Sequence, residues 1–92
     1  MFAAARGRQS QLVPTFLLTH HLTALECAPV FAAWRGFTSP LRHRDALSSC
    51  PQGGHRLWWV VEAPDEAAAL GQLPAYVSRQ TEVTNVRLFP IP

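Results

Sequence analysis

The sequence predicts an α+β domain, a four-stranded antiparallel sheet with two helices on one face, in the order β-α-β-β-α-β. Two observations carry that expectation. Four short runs rich in β-branched and aromatic residues alternate with two stretches of helical periodicity. The 92 residues also show no internal repeat and no composition break that would divide them into two domains.

The first strand is Thr15 to His21, short, apolar and preceded by Pro14. Thr23 and Glu26 then form a T-x-x-E capping box, after which Cys27, Val30, Phe31 and Trp34 fall at helical spacing until Gly36. Pro29 interrupts this run, because it lacks the N–H that a second turn would use. The helix therefore either bends there or begins at Pro29. "GFTSPLRHRD" reads as a loop and "ALSSC" as a weak strand ended by the turn signal "PQGG". The clearest strand is "RLWWVVEA", Arg56 to Ala63. Asp65 caps a second helix with Leu70, Leu73 and Val77 as its apolar stripe, kept short or kinked by Gly71 and Pro74. "TEVTNVRLF" alternates as a last strand before "PIP".

That order is the split βαβ pattern of ferredoxin-like folds. Two helices of this length cover only one face of the sheet, yet the strands are apolar on both. Leu57, Trp59 and Val61 point one way, Trp58 and Val60 the other, and Leu17 opposes Phe16 and Leu18. An antiparallel sheet with one wet face should show polar residues there. A second covering layer is expected, most simply the same face of another copy. Burying Trp58 alone would contribute about 2–3 kcal/mol.

The element order and the stretch "LWWVVEAPDEAAAL", a strand running through Glu-Ala-Pro-Asp into an Ala-rich helix, resemble the small dimeric α+β-barrel proteins. These include YCII-related proteins, muconolactone-isomerase-like proteins and small nickel-binding barrels. The likeness spans Thr15 to Ile91. It implies a homodimer with sheets face to face and carries over no catalytic residue, because members of such a superfold differ in chemistry.

Charge excludes several partners. All eight basic residues are Arg, and beyond Arg6 and Arg8 the chain carries six Arg against six acids. A neutral domain gives no basis for a nucleic-acid or membrane-surface partner. Residues 1–14 are basic and rich in Ala and Gln, lack the apolar core of a secretory signal and read as a disordered tail before a single domain at 15–92. The expected compartment is the cytoplasm, with Cys27 and Cys50 as free thiols.

The chemistry-bearing residues converge through topology. In a split βαβ sheet the end of the first strand, the start of the first helix, the end of the second strand and the start of the third share one edge. Those positions hold His20, His21, Cys27, Cys50 and His55. His20, His21, His55 and Cys50 are the expected metal ligands. Neighbouring strands lie about 4.8 Å apart, so two or three such side chains could meet one ion at about 2.0–2.3 Å. Imidazole and thiolate suit nickel, zinc or copper. His20 and His21 point to opposite sides of a continuous strand, so only one joins a site on a given face. Against this stands a plainer reading, in which Cys27 is a core thiol on the stripe of Val30 and Trp34, and Cys50 fills a strand end.

Cys27, His43 and Trp58 are the further residues expected at a bound ligand. Arg42, His43, Arg44 and Asp45 form a polar loop that is either solvated or lies over a pocket and holds a carboxylate or phosphate. Glu62 falls on the expected dimer side, as a solvated or Arg-paired strand end or as an interfacial acid/base group. Trp34, Trp58 and Trp59 read as core and interface anchors, since no basic groove accompanies them.

Two functions remain open from the sequence. One is a homodimeric binding protein holding a transition-metal ion or a small apolar ligand at the His/Cys rim. The other is a small cofactor-free isomerase or oxygenase with a histidine as general base on a hydrophobic substrate. The chain offers no fixed nucleophile–base pair and no phosphate-binding glycine loop, which favours the first.

Overall fold

The computed structural model describes residues 13–92; the expected tail at 1–14 falls almost entirely outside them. The elements are β1 (Thr15–His21), a 3-10 turn (Ala24–Glu26) running into α1 (Cys27–Ala33), β2 (Leu47–Ser48), a second 3-10 turn (Cys50–Gln52), β3 (Arg56–Glu62), α2 (Glu66–Leu70), α3 (Ala75–Ser78) and β4 (Thr81–Val86). The strands make one sheet in the order β2-β3-β1-β4, with every neighbouring pair antiparallel. This is an α+β fold.

Register decides the two faces. Leu18 pairs with Trp59 on one side and Val83 on the other, which puts Phe16, Leu18, His20, Leu57, Trp59 and Val61 on one face. These residues are buried with Val30 of α1, Ala69 of α2, Leu73 between α2 and α3, and Val77 of α3. The opposite face carries Leu17, Thr19, Leu47, Trp58, Val60, Glu62 and Thr84, none of them buried.

The helix starts follow their caps. The Glu26 carboxylate accepts from the Thr23 N–H at 2.8 Å, so the capping box is real. Because a 3-10 turn precedes α1, Pro29 falls in the first turn of the α-helix proper, where its missing N–H has no intrahelical partner to lose. The helix therefore begins at Cys27 and not at Pro29. Asp65 caps α2, accepting from Ala68 N–H at 2.8 Å. The stretch expected as one helix with Leu70, Leu73 and Val77 on one stripe is two short helices, broken after Leu70 and restarted behind Pro74.

The last strand ends at Val86, short of Phe89. Its ladder stops where Val86 meets Thr15, and the preceding Pro14 has no N–H to continue it. Leu88, Phe89 and Ile91 beyond that point are exposed.

Candidate functional site

Three of the chemistry-bearing side chains meet at the edge where β3 begins. Cys27 is the first residue of α1, Cys50 opens the 3-10 turn after β2, and His55 directly precedes β3. One ligand atom from each lies within 4.8 Å of the other two, and all three side chains are half-buried. Among the described residues this is the one such group of three or more His, Cys, Asp or Glu.

The loop that carries Cys50 and His55 is tightly determined. Ser49 N–H donates to Arg56 O at 2.9 Å, Gly53 N–H to Cys50 O at 2.9 Å and Gly54 N–H to Ser49 O at 2.8 Å. Gly53 has φ +82°, a left-handed conformation that favours glycine, and a Cβ at Gly54 would run into the Ser49 side chain. His55 itself has φ +56°, and its carbonyl accepts from Leu22 N–H at 3.1 Å, which ties the loop to the end of β1. A left-handed non-glycine residue is uncommon, although histidine tolerates it better than most.

The group suits a soft or borderline metal. A tetrahedral ion with bonds of about 2.0–2.3 Å has ligand edges of about 3.3–3.8 Å, and the present span of at most 4.8 Å is close to that. His55 Nδ1 is buried without a hydrogen-bond partner. Such orphan atoms are rare in native structures. Burial pushes the Cys27 thiol pKa up, and the adjacent Cys50 adds to the shift by charge and by hydrogen bonding. An unassisted Cys27 thiolate is thereby disfavoured, which argues against a free nucleophile; a metal would displace the proton on binding.

The remaining histidines are held elsewhere. His20 is 1 % exposed on the helix-covered face. Its Nδ1 lies 3.0 Å from Thr81 Oγ1, and that hydroxyl donates to Val77 O at 2.7 Å. Because the single hydroxyl hydrogen is used, Nδ1 must be the donor and Nε2 is left as a buried lone pair without a partner. On the opposite face His21 lies between Arg56, whose Nε donates to Nδ1 at 3.2 Å, and Glu82, whose carboxylate is 3.0 Å from Nε2. Neither His20 nor His21 belongs to the Cys27–Cys50–His55 group. Trp58 is half-buried on the open face, and Glu62 is exposed there.

His43 lies apart from these residues, at φ +68° in the loop after α1. With Arg42, Arg44 and Asp45 it borders a cleft of about 410 Å³ between α1 and the β2–β3 edge. Arg35 borders the same cleft; sequence patterning marks it only by its place just before the helix-ending Gly36.

No helix among the described residues is long and apolar enough to cross a membrane. In comparisons with known proteins, the chain matches no family, no curated protein and no solved structure.

Proposed function

We propose that the protein is a homodimeric transition-metal-binding module whose ion is held by Cys27, Cys50 and His55. The observation that carries this reading is the approach of two thiols and an imidazole to within 4.8 Å of one another, from the start of α1 and the loop between β2 and β3. Two sulfurs and one nitrogen are a soft donor set that suits zinc, copper or nickel better than a hard cation. Three protein ligands leave one position of a tetrahedral ion open, the pattern of reactive rather than closed structural sites.

The fold assignment that accompanies this reading is ferredoxin-like. Read from the β4 edge, the strand order is 4-1-3-2, which a split βαβ chain produces. That order, with the Glu-Ala-Pro-Asp strand-to-helix passage, supports kinship with the small dimeric α+β barrels.

The open sheet face supports a second copy as partner. Leu47 is 72 % and Val60 65 % exposed, beside Leu17 and Trp58, a patch that a monomer would leave in water. Arg56 and Glu62 sit at opposite ends of β3 on this face, about 20 Å apart along the strand. A two-fold axis that lays the face antiparallel on itself brings Arg56 of each copy toward Glu62 of the other, so the face is complementary to itself. Sedimentation at micromolar concentration should give a dimer, and Val60→Glu should give a folded monomer with unchanged circular dichroism. A monomeric parent protein would remove the face-to-face arrangement.

The metal reading is tested on tag-free protein purified without chelator and with reductant throughout. Elemental analysis should find zinc, copper or nickel near one per chain, falling to background in Cys50→Ser and in His55→Gln. His21→Gln should retain the metal, since His21 is held by Arg56 and Glu82. Metal-free protein that also fails to take up added zinc would overturn the proposal and leave the three side chains as core residues.

A further inference from the structure

We infer that the cleft beside α1 is a binding site for a small aromatic or branched aliphatic carboxylate, with Arg42 and Arg44 as the carboxylate-binding side chains. The cleft measures about 410 Å³, within the range of about 300–1,000 Å³ common for small-molecule sites. Its apolar lining includes Trp34, Leu41, Leu57 and Trp59. Trp34 and Trp59 approach with ring centroids 5.8 Å apart at 46°, and Phe37 meets Trp34 edge-on at 6.1 Å, so the aromatic wall is braced from behind.

The polar side is unbalanced. Arg35, Arg42 and Arg44 border the cleft together with one acid, Asp45. Among the described residues none of these guanidinium groups is within ion-pair distance of a carboxylate; the single ion pair there is His21–Glu82. Residues 1–12 contain no Asp or Glu. A guanidinium offers a planar pair of donors that matches a carboxylate. The apolar wall then requires that the carboxylate be carried on a hydrophobic body.

The wall that presents these arginines is fixed by its own hydrogen bonds. Ser39 Oγ donates to Gln72 O at 2.6 Å and accepts from Leu41 N–H at 3.1 Å, fastening the loop to the segment between α2 and α3. Arg42 N–H donates to Ser39 O and Arg44 N–H to Leu41 O, two successive turns with left-handed His43 between the arginines. A loop backbone held this way fixes where the two arginines leave the chain, which lowers part of the ordering cost of binding.

None of Cys27, Cys50 and His55 lines the cleft, so this site stands or falls separately from the metal. The test titrates chelator-treated, reduced protein with phenylacetate, followed by tryptophan fluorescence and calorimetry. Saturable binding is expected, weakened about tenfold or more in Arg42→Gln/Arg44→Gln, as loss of a charge-assisted contact implies. Asp45→Asn should tighten binding several-fold by removing the one repulsive charge. Benzyl alcohol, with the ring but no charge, and inorganic phosphate, with charge but no ring, should each bind at least about tenfold more weakly. No saturation with phenylacetate, or equal affinity in the double arginine variant, would overturn the inference. Phosphate binding as tightly as phenylacetate would overturn the apolar half of it.

Discussion

Leu18→Ala should lower the unfolding free energy of the protein by about 2–5 kcal/mol, read from the urea midpoint at unchanged slope. Leu18 lies on a central strand, is 0 % exposed, and has Trp59 and Val83 as its cross-strand partners. The site is closed in by rigid neighbours, so truncation leaves a cavity that the surroundings fill poorly. For a domain this small, total stability sits near the low end of about 5–15 kcal/mol, and the loss is a large share of it. Leu17→Ala is the internal comparison. One residue along, Leu17 faces the open side and is only half-buried, so in the Val60→Glu background its truncation should move the midpoint far less than that of Leu18. Equal losses from the two substitutions in that background would mean that the register has been misassigned, because a one-residue slip exchanges the faces.

The contrast between those neighbours shows how much of the fold the sequence makes legible. Thr15–His21 and Arg56–Glu62 are strands in the structure over almost the residues that alternation and β-branched content indicate. Where the sequence is ambiguous, the deciding factor is not local. Pro29 is compatible with the helix only because a 3-10 turn shifts its position, and β4 stops at Val86 only because its partner strand does. Neither fact is encoded within the segment concerned. Likewise Gly71 and Pro74 warn of a broken helix without saying that α3 resumes and buries Val77 against the sheet.

The candidate site is legible in the same partial way. Topology alone brings Cys27, Cys50 and His55 to one edge, since it depends on strand order rather than on side-chain detail. What topology does not settle is where each histidine points and what it bonds. His20 and His21 sit at the same edge by position, yet Thr81 holds one on the covered face, and Arg56 with Glu82 holds the other on the open face. Those partners lie 35 to 61 residues away in sequence. The cleft is harder still to anticipate. Arg42, His43, Arg44 and Asp45 look like an ordinary solvated loop until Ser39 is seen to fasten it beside two tryptophans.

His20 should make the protein less stable in mild acid. Burial pushes its pKa below the ordinary imidazole value of 6.5; the Val77 carbonyl and the charge of Glu26 act in the opposite direction but do not cancel it, and His21 adds to the lowering. Above pH 6.5 the folded and unfolded states both hold this ring neutral, and it contributes no pH dependence. As pH falls below that value the unfolded chain takes up the proton first, so stability declines until pH passes below the depressed folded-state pKa. The physical cause is local: Nδ1–H is already satisfied by Thr81, and a proton on Nε2 would find no acceptor in its buried position. Urea midpoints measured from about pH 8 to about pH 5 should fall for the parent protein. In His20→Leu the fall should be smaller. Glu26 gives a separate and more acidic limb, because the Thr23 backbone N–H, followed by Gln80, lowers its pKa from 4.5. Its contribution is present above that ordinary value and is lost as pH drops through the lowered one. Thr81→Val removes the hydroxyl that accepts from His20 Nδ1–H and should cost about 1–3 kcal/mol at neutral pH. Stability that rises in the parent protein relative to His20→Leu on acidification would show that Nε2 does have an acceptor, and would reverse the assignment of this ring.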